Sequence, residues 1–112
     1  MNRFHVLVAC SDPARGTALV ETLARFGCEP LIAADINAVR AVLAQHSLQL
    51  AVCEHDLPES GYREALSLAK ASGSEVLVVV CSRLGDPDQY LEAMQLGAFD
   101  FIAQEGNGQA QM

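Results

Sequence analysis

The residues able to carry chemistry in this 112-residue chain gather in three short clusters, Cys10-Ser11-Asp12, Glu54-His55-Asp56 and Cys81-Ser82, with Gln104 further on. Thiols such as Cys10 and Cys81 suit a soft metal or a redox pair, and His55 between two acids suits proton transfer. Yet adjacent side chains at a strand end diverge, and no nucleophile, base and orienting group stand together, so no catalytic residue and no enzyme activity are expected. His5 and His46 read as a strand residue and a helix-end residue, and no metal or other cofactor is expected. The glycines at 61, 73, 85 and 97 punctuate turns, and neither a G-x-G-x-x-G nor a P-loop pattern is present. Cys10, Cys28, Cys53 and Cys81 form no C-x-x-C pair and lack the density of a secreted framework, which leaves them as free thiols.

The elements that must position these clusters are legible from apolar runs and helix punctuation. Phe4 to Cys10, Leu50 to Cys53 and Val76 to Cys81 are short apolar runs without alternation, the pattern of strands buried on both faces of a parallel sheet. Pro30 to Ala33 and Phe99 to Ala103 are weaker strands. Between them, Asp12-Pro13 opens a helix whose apolar face is Leu19, Val20, Leu23 and Phe26 and which Gly27 stops. Asp35 caps a second helix with Val39, Val42 and Leu43. A third runs over Tyr62 to Ala71, and a fourth starts at Asp86-Pro87, carries Tyr90, Leu91 and Met94, and stops at Gly97. Strand and helix alternate throughout, which predicts an α/β doubly wound sheet. Ligands of such sheets sit beyond the carboxyl ends of the strands, where all the clusters named above fall.

Over residues 4 to 104 this layout resembles a response-regulator receiver domain. Val6-Leu7-Val8 before Ser11-Asp12-Pro13 is similar to that family's first strand and acidic turn. Leu57-Pro58 with Gly61 resembles the loop after the phosphoacceptor strand, one residue shorter, and Leu96-Gly97-Ala98 before Phe99-Asp100-Phe101 resembles the end of the fourth helix and the opening of the fifth strand. The resemblance implies a flavodoxin-like, five-stranded parallel sheet of strand order 2-1-3-4-5. It also implies a role in two-component signalling.

The family's chemistry does not carry over. Receivers accept a phosphoryl group on an aspartate four residues before the loop proline, and that position here is Glu54. By the same resemblance the magnesium-holding acidic pair falls on Cys10 and Ser11, with Asp12 at the outer position, the hydroxyl residue on Cys81, the lysine on Gln104 and the switch aromatic on Phe101. A thiol and a hydroxyl in place of two carboxylates weaken magnesium binding, and without the lysine no cation neutralises a transferring phosphoryl group. Glu54 then reads either as a built-in phosphoryl mimic or as a solvated acid at a strand end. With a single charge it falls short of the roughly −1.5 to −2 of a phosphoryl group. Cysteines of this kind more often fill a core than do chemistry.

The expected function is therefore a degenerate receiver-like domain that signals through protein contacts without phosphotransfer. Its contact surface lies around Tyr90, Met94 and Phe101, as the resemblance implies. The alternative is a chemically switched domain, through residual phosphorylation at Glu54 or Asp56 or thiol oxidation at Cys10 and Cys81. A flavodoxin-like binder of a small ligand is a third reading.

Fourteen acidic residues against seven Lys and Arg give a formal charge of −7, which disfavours direct nucleic-acid and anionic-membrane partners and leaves a protein partner or output domain. Leu7-Val8-Ala9-Cys10 resembles a lipoprotein cleavage box, but only nine residues precede the cysteine, against roughly 15 to 30 in a secretory signal, so the run reads as a strand and the cytoplasm as the compartment. Residues 1–104 are expected to form one domain and 105–112 a polar tail that encodes no fifth helix. An apolar strip left bare by that helix calls for a longer parent chain, a second copy in a homodimer, or a partner.

Overall fold

Aspartate starts three of the four helices seen among the described residues, each by accepting a backbone N–H two or three residues further on. The computed structural model describes residues 4–59, 61–72, 76–83 and 85–103. Asp12 accepts a hydrogen bond from the Ala14 N–H at 3.0 Å and precedes α1 (Pro13–Arg25). Asp35 accepts from Ala38 N–H at 2.9 Å before α2 (Ile36–Gln45), and Asp86 from Asp88 N–H at 2.9 Å before α4 (Pro87–Gln95). Each cap satisfies a donor that the first helical turn leaves without a partner. Helix α3 (Gly61–Ala71) instead begins on a glycine pressed against Leu57, where a Cβ would lie 2.8 Å from Leu57 Cδ2.

The strands are β1 (Phe4–Ala9), β2 (Cys28–Ala33), β3 (Leu50–Glu54), β4 (Leu77–Ser82) and β5 (Asp100–Ala103), all parallel and in the order β2-β1-β3-β4-β5. This is the flavodoxin-like arrangement expected from the sequence. Strand β1 lies inside the sheet between β2 and β3, and Val6, Leu7 and Val8 are buried from both sides. Each such side chain contributes about 1.5–3 kcal/mol by leaving water. Leu7, Ala9, Ala51, Cys53, Val78 and Val80 face one way and join Val39 of α2, Leu66 of α3 and Ala93 of α4 in the main core. The residues in alternate register, Val6, Val8, Val52 and Glu54, face α1 by strand periodicity.

Several boundaries differ from the sequence reading. Strand β2 begins at Cys28, two residues before Pro30, because pairing with β1 extends it to the Phe4–Cys28 register. Strands β3 and β4 each run one residue further, so Glu54 and Ser82 are strand residues and not loop residues. Phe26 is not part of the α1 core face. The helix ends at Arg25, Phe26 forms the C-cap, and its ring is 80% exposed before Gly27 takes φ 83°. Only Gly16 of α1 is fully buried, with Leu19, Val20 and Leu23 half-buried. On the α1 side of the sheet Leu77 and Ile102 are exposed, whereas Val6 and Val8, part of the strip expected to be bare, are buried. The expected tail at 105–112, like Gln104, lies outside the described residues.

Candidate functional site

Strand register brings the first two clusters together. Val8 pairs with Val52 and Ala9 with Cys53, so the chain leaving β1 at Cys10 and Ser11 passes beside Glu54 at the end of β3, and Glu54 in turn pairs with Cys81 on β4. Cys10 Sγ lies 3.6 Å from Glu54 Oε2, and the Ser11 N–H and Oγ lie 3.4 and 3.5 Å from Oε1. The two Ser11 contacts are long beside the usual 2.7–3.2 Å of a hydrogen bond and the thiol is a weak donor, so together they solvate the carboxylate weakly.

The sequence reading of Glu54 as a solvated acid does not hold: it is only 5% exposed. Its charge is answered by Arg15, one turn into α1, whose Nη1 meets Oε2 in an ion pair. Arg15 Nε also bonds Asp12 Oδ2 at 3.2 Å, so the helix-capping aspartate holds the guanidinium over the strand end. Burial opposes the charge on Arg15, but the Asp12 hydrogen bond and the Glu54 charge outweigh it and raise its pKa above the ordinary value. Asp12 moves the other way, held below the usual carboxylate range by the Ala14 N–H first and by Arg15 next. Beneath the pair is a cavity of about 10 Å³ lined by Ala9, Cys10, Arg15, Leu19, Val52, Glu54 and Cys81. That is room for one water at most.

Arg15 was the residue that sequence reasoning missed. It sits three positions after Asp12 on a helix whose exposed face is polar, and nothing in its spacing distinguishes it from a solvent-facing arginine. The signal available was the conjunction of a glutamate at a buried strand end with a capping aspartate able to steer a basic side chain at i+3.

The three buried thiols, Cys10, Cys53 and Cys81, are held protonated. Burial, with the Glu54 charge adding to it, pushes Cys53 up to about 12 and Cys81 up to about 11. Cys10 is also raised, by burial first and by Glu54, against the lowering effect of its bond with the Asp12 backbone. All four cysteines are free. Cys53 faces the α2–α3 core, on the side of the sheet opposite Glu54.

His55 and Asp56 turn away from Glu54. The His55 ring stacks on Tyr62 at 4.5 Å, while its backbone N–H donates to Cys81 O at 2.7 Å. Asp56 is exposed and meets Arg83 Nε at 3.3 Å. Tyr62 in turn donates to Glu92 of α4, which also pairs with Arg63, so the loop after β3 is tied through α3 to α4. Burial and the Glu92 bond push the Tyr62 hydroxyl up to about 12. Ser82 is buried at the end of β4, and its Oγ donates to Gln89 Oε1 of α4 at 2.6 Å. On the other side of α4, Tyr90 meets Phe101 of β5 edge-on, ring centroids 5.8 Å apart. Tyr90 is exposed, whereas Met94 and Phe101 are half-buried against the core.

The donor set does not fit the magnesium that the receiver resemblance implies. Among the described residues no three His, Cys, Asp or Glu side chains are grouped to hold a metal ion. Of the two carboxylates nearest the site, Glu54 and Asp12, both are engaged by Arg15.

No protein-family model matches the chain. No curated protein matches it either. Solved structures do resemble it. A CheY-like response regulator receiver domain protein from Methanospirillum hungatei superposes with a TM-score of 0.84 at 19% identity, over 97% of this chain and 87% of its own. A response regulator receiver protein from Pseudomonas putida gives 0.82 at 21%, over 93% and 88%. A response regulator from Burkholderia pseudomallei, with a phosphorylated aspartic acid, calcium ion and citrate, gives 0.83 at 16%, over 96% of this chain and 63% of its own. The chain has the fold of response-regulator receiver domains. At these identities the likeness is one of fold.

Proposed function

We propose that this chain is a receiver-type signalling domain that acts through protein contacts and whose acceptor site is closed by its own ion pair. The observation that carries the reading is the buried Glu54–Arg15 contact. A phosphoryl group brings excess negative charge and needs a cation beside it. Here the nearby guanidinium already neutralises a carboxylate, in a space of about 10 Å³. The site is thus held in one electrostatic state whether or not a phosphodonor is present. Partners or an output domain read the surface around Tyr90, Met94 and Phe101, where α4 and β5 meet. No helix among the described residues is long and apolar enough to cross a membrane.

A two-dimensional amide NMR titration with magnesium, then beryllofluoride plus magnesium, in reducing buffer, tests this. The expected result is no change at millimolar ligand for residues 10–12, 54–56 and 81–82. Shifts confined to those residues and spreading to Phe101 would mean that the site still takes a phosphoryl-like group, and would favour switching at Glu54 or Asp56 instead.

A further inference from the structure

The three histidines of the chain divide between the two ends of the sheet. His55 follows the carboxyl end of β3 and stacks on Tyr62. His5 and His46 meet at the opposite end. His5 is the second residue of β1 and pairs in register with Glu29 of β2. Strand alternation puts it on the same face as Leu7 and Ala9, the face that α2 and α3 cover. His46 is the C-cap of α2, its N–H donating to Val42 O at 3.0 Å, and it brings a second imidazole to that place.

The two ring centroids stand 5.3 Å apart with their planes inclined at 43°. Imidazoles that share one tetrahedral ion, through metal–nitrogen bonds of about 2.0–2.1 Å, have centroids about 5 Å apart. The pair is therefore already at ligating separation. Charge points the same way. Glu29 Oε1 lies 3.4 Å from His5 Nε2, longer than an ordinary hydrogen bond, so the carboxylate is near the ring without being spent on it. Helix α2 turns its partially negative C-terminal end to the same place and carries no basic residue in its last turn. The His5 side chain is 31% exposed, which gives an ion access from solvent.

We infer that His5 and His46 together bind a late first-row dication such as zinc, with Glu29 supplying negative charge beside it. Imidazole nitrogen suits such ions, whereas magnesium prefers an all-oxygen set. Among the described residues no three His, Cys, Asp or Glu side chains form a ligand group, so water completes the coordination. Bound there, the ion ties the end of α2 to β1, at the end of the sheet away from Glu54. The thiols are poor competitors. Cys10, Cys53 and Cys81 are buried and hold their protons. Cys28 adjoins Glu29 on β2 and takes the other face of the sheet by alternation.

The test is a titration of the full, reduced chain with zinc chloride, read by calorimetry and by long-range proton–nitrogen NMR spectra of the imidazole rings. One equivalent is expected to bind, shifting the ring nitrogens of His5 and His46 and leaving those of His55 in place as an internal reference. Magnesium at the same concentration shifts none of them. H5N and H46N each weaken zinc binding at least about tenfold, and E29Q weakens it about tenfold, the lower end for a carboxylate that supports a ligating histidine. C28S leaves it unchanged. The ring spectra are read on the unaltered chain, so a variant that fails to fold does not obscure the outcome. Equal shifts at His55, unchanged affinity in H46N, loss of binding in C28S, or no saturable binding at millimolar zinc would each overturn the site and reduce the His5–His46 contact to ring packing.

Discussion

Replacing Arg15 by Met strands a carboxylate inside the protein, and the cost follows from what remains around Glu54. The side chain of Glu54 is 6% exposed, so water cannot take over from the guanidinium without the strand end opening. The surviving donors, Ser11 N–H and Oγ at 3.4 and 3.5 Å, are too distant to carry a full charge. Removing one partner of a fully buried pair costs about 3–5 kcal/mol. Arg15 itself is 28% exposed on its side chain, so the pair is not fully dry, and about 2–3 kcal/mol is the expected loss for R15M. E54Q is milder, about 1 kcal/mol, because the freed guanidinium can turn to solvent and keep Asp12. In the double variant neither charge is stranded, so R15M/E54Q falls short of the sum of the single losses by at least about 1 kcal/mol. Urea denaturation of the four proteins closes this cycle, and R25M, at an exposed position, controls for losing an arginine. A coupling below about 0.5 kcal/mol, or an R15M cost no larger than that of R25M, would refute the ion pair as the device that closes the site.

Two glycines separate packing from propensity. At Gly61 a Cβ meets the buried Leu57 side chain at 2.8 Å, so G61A lowers stability by about 1–2 kcal/mol despite better helix propensity. At Gly16 the nearest atoms, Ile32 Cδ1 and Cys10 Cβ, stand at ordinary contact of 3.7 and 3.9 Å, so G16A gains up to about 1 kcal/mol; thermal unfolding of both variants reads the opposite signs. The buried thiols and Tyr62 set an alkaline limit. Folded pKa values of about 12 for Cys53, about 11 for Cys81 and about 12 for Tyr62 lie above their ordinary values of 9.0 and 10.0, so the neutral forms stabilise the fold below pH 9. That contribution falls as pH rises from 9 toward 12. Urea midpoints that stay level across that range would contradict the burial of these groups, as would native thiol labelling at pH 8 that modifies Cys53 as fast as the half-buried Cys28.

Much of this architecture is written in local sequence. Asp12-Pro13 and Asp86-Pro87 start helices as expected, because a carboxylate cap and a pre-set proline φ act within one turn. The apolar runs at β1 and β4 need no partner to be recognised as strands buried on both faces. The residue types at the strand ends were legible as well, since Glu54, Cys10, Ser11 and Cys81 are identities and not conformations. Their consequence was not. Whether Glu54 meets water or a cation depends on the rotation of α1 over β1 and β3, and so on which side of that helix Arg15 occupies. Gly16, the buried residue of α1, sits near Cys10 and Ile32 and marks the side of the helix that meets the sheet. Phe26 shows the same limit from the other side: its helical spacing fits the apolar face, but α1 ends one residue earlier and leaves the ring in solvent. Sequence determined which groups reach the strand ends, while only tertiary packing decided that an arginine would neutralise the acid there, because a charge pair across two elements has no local signature.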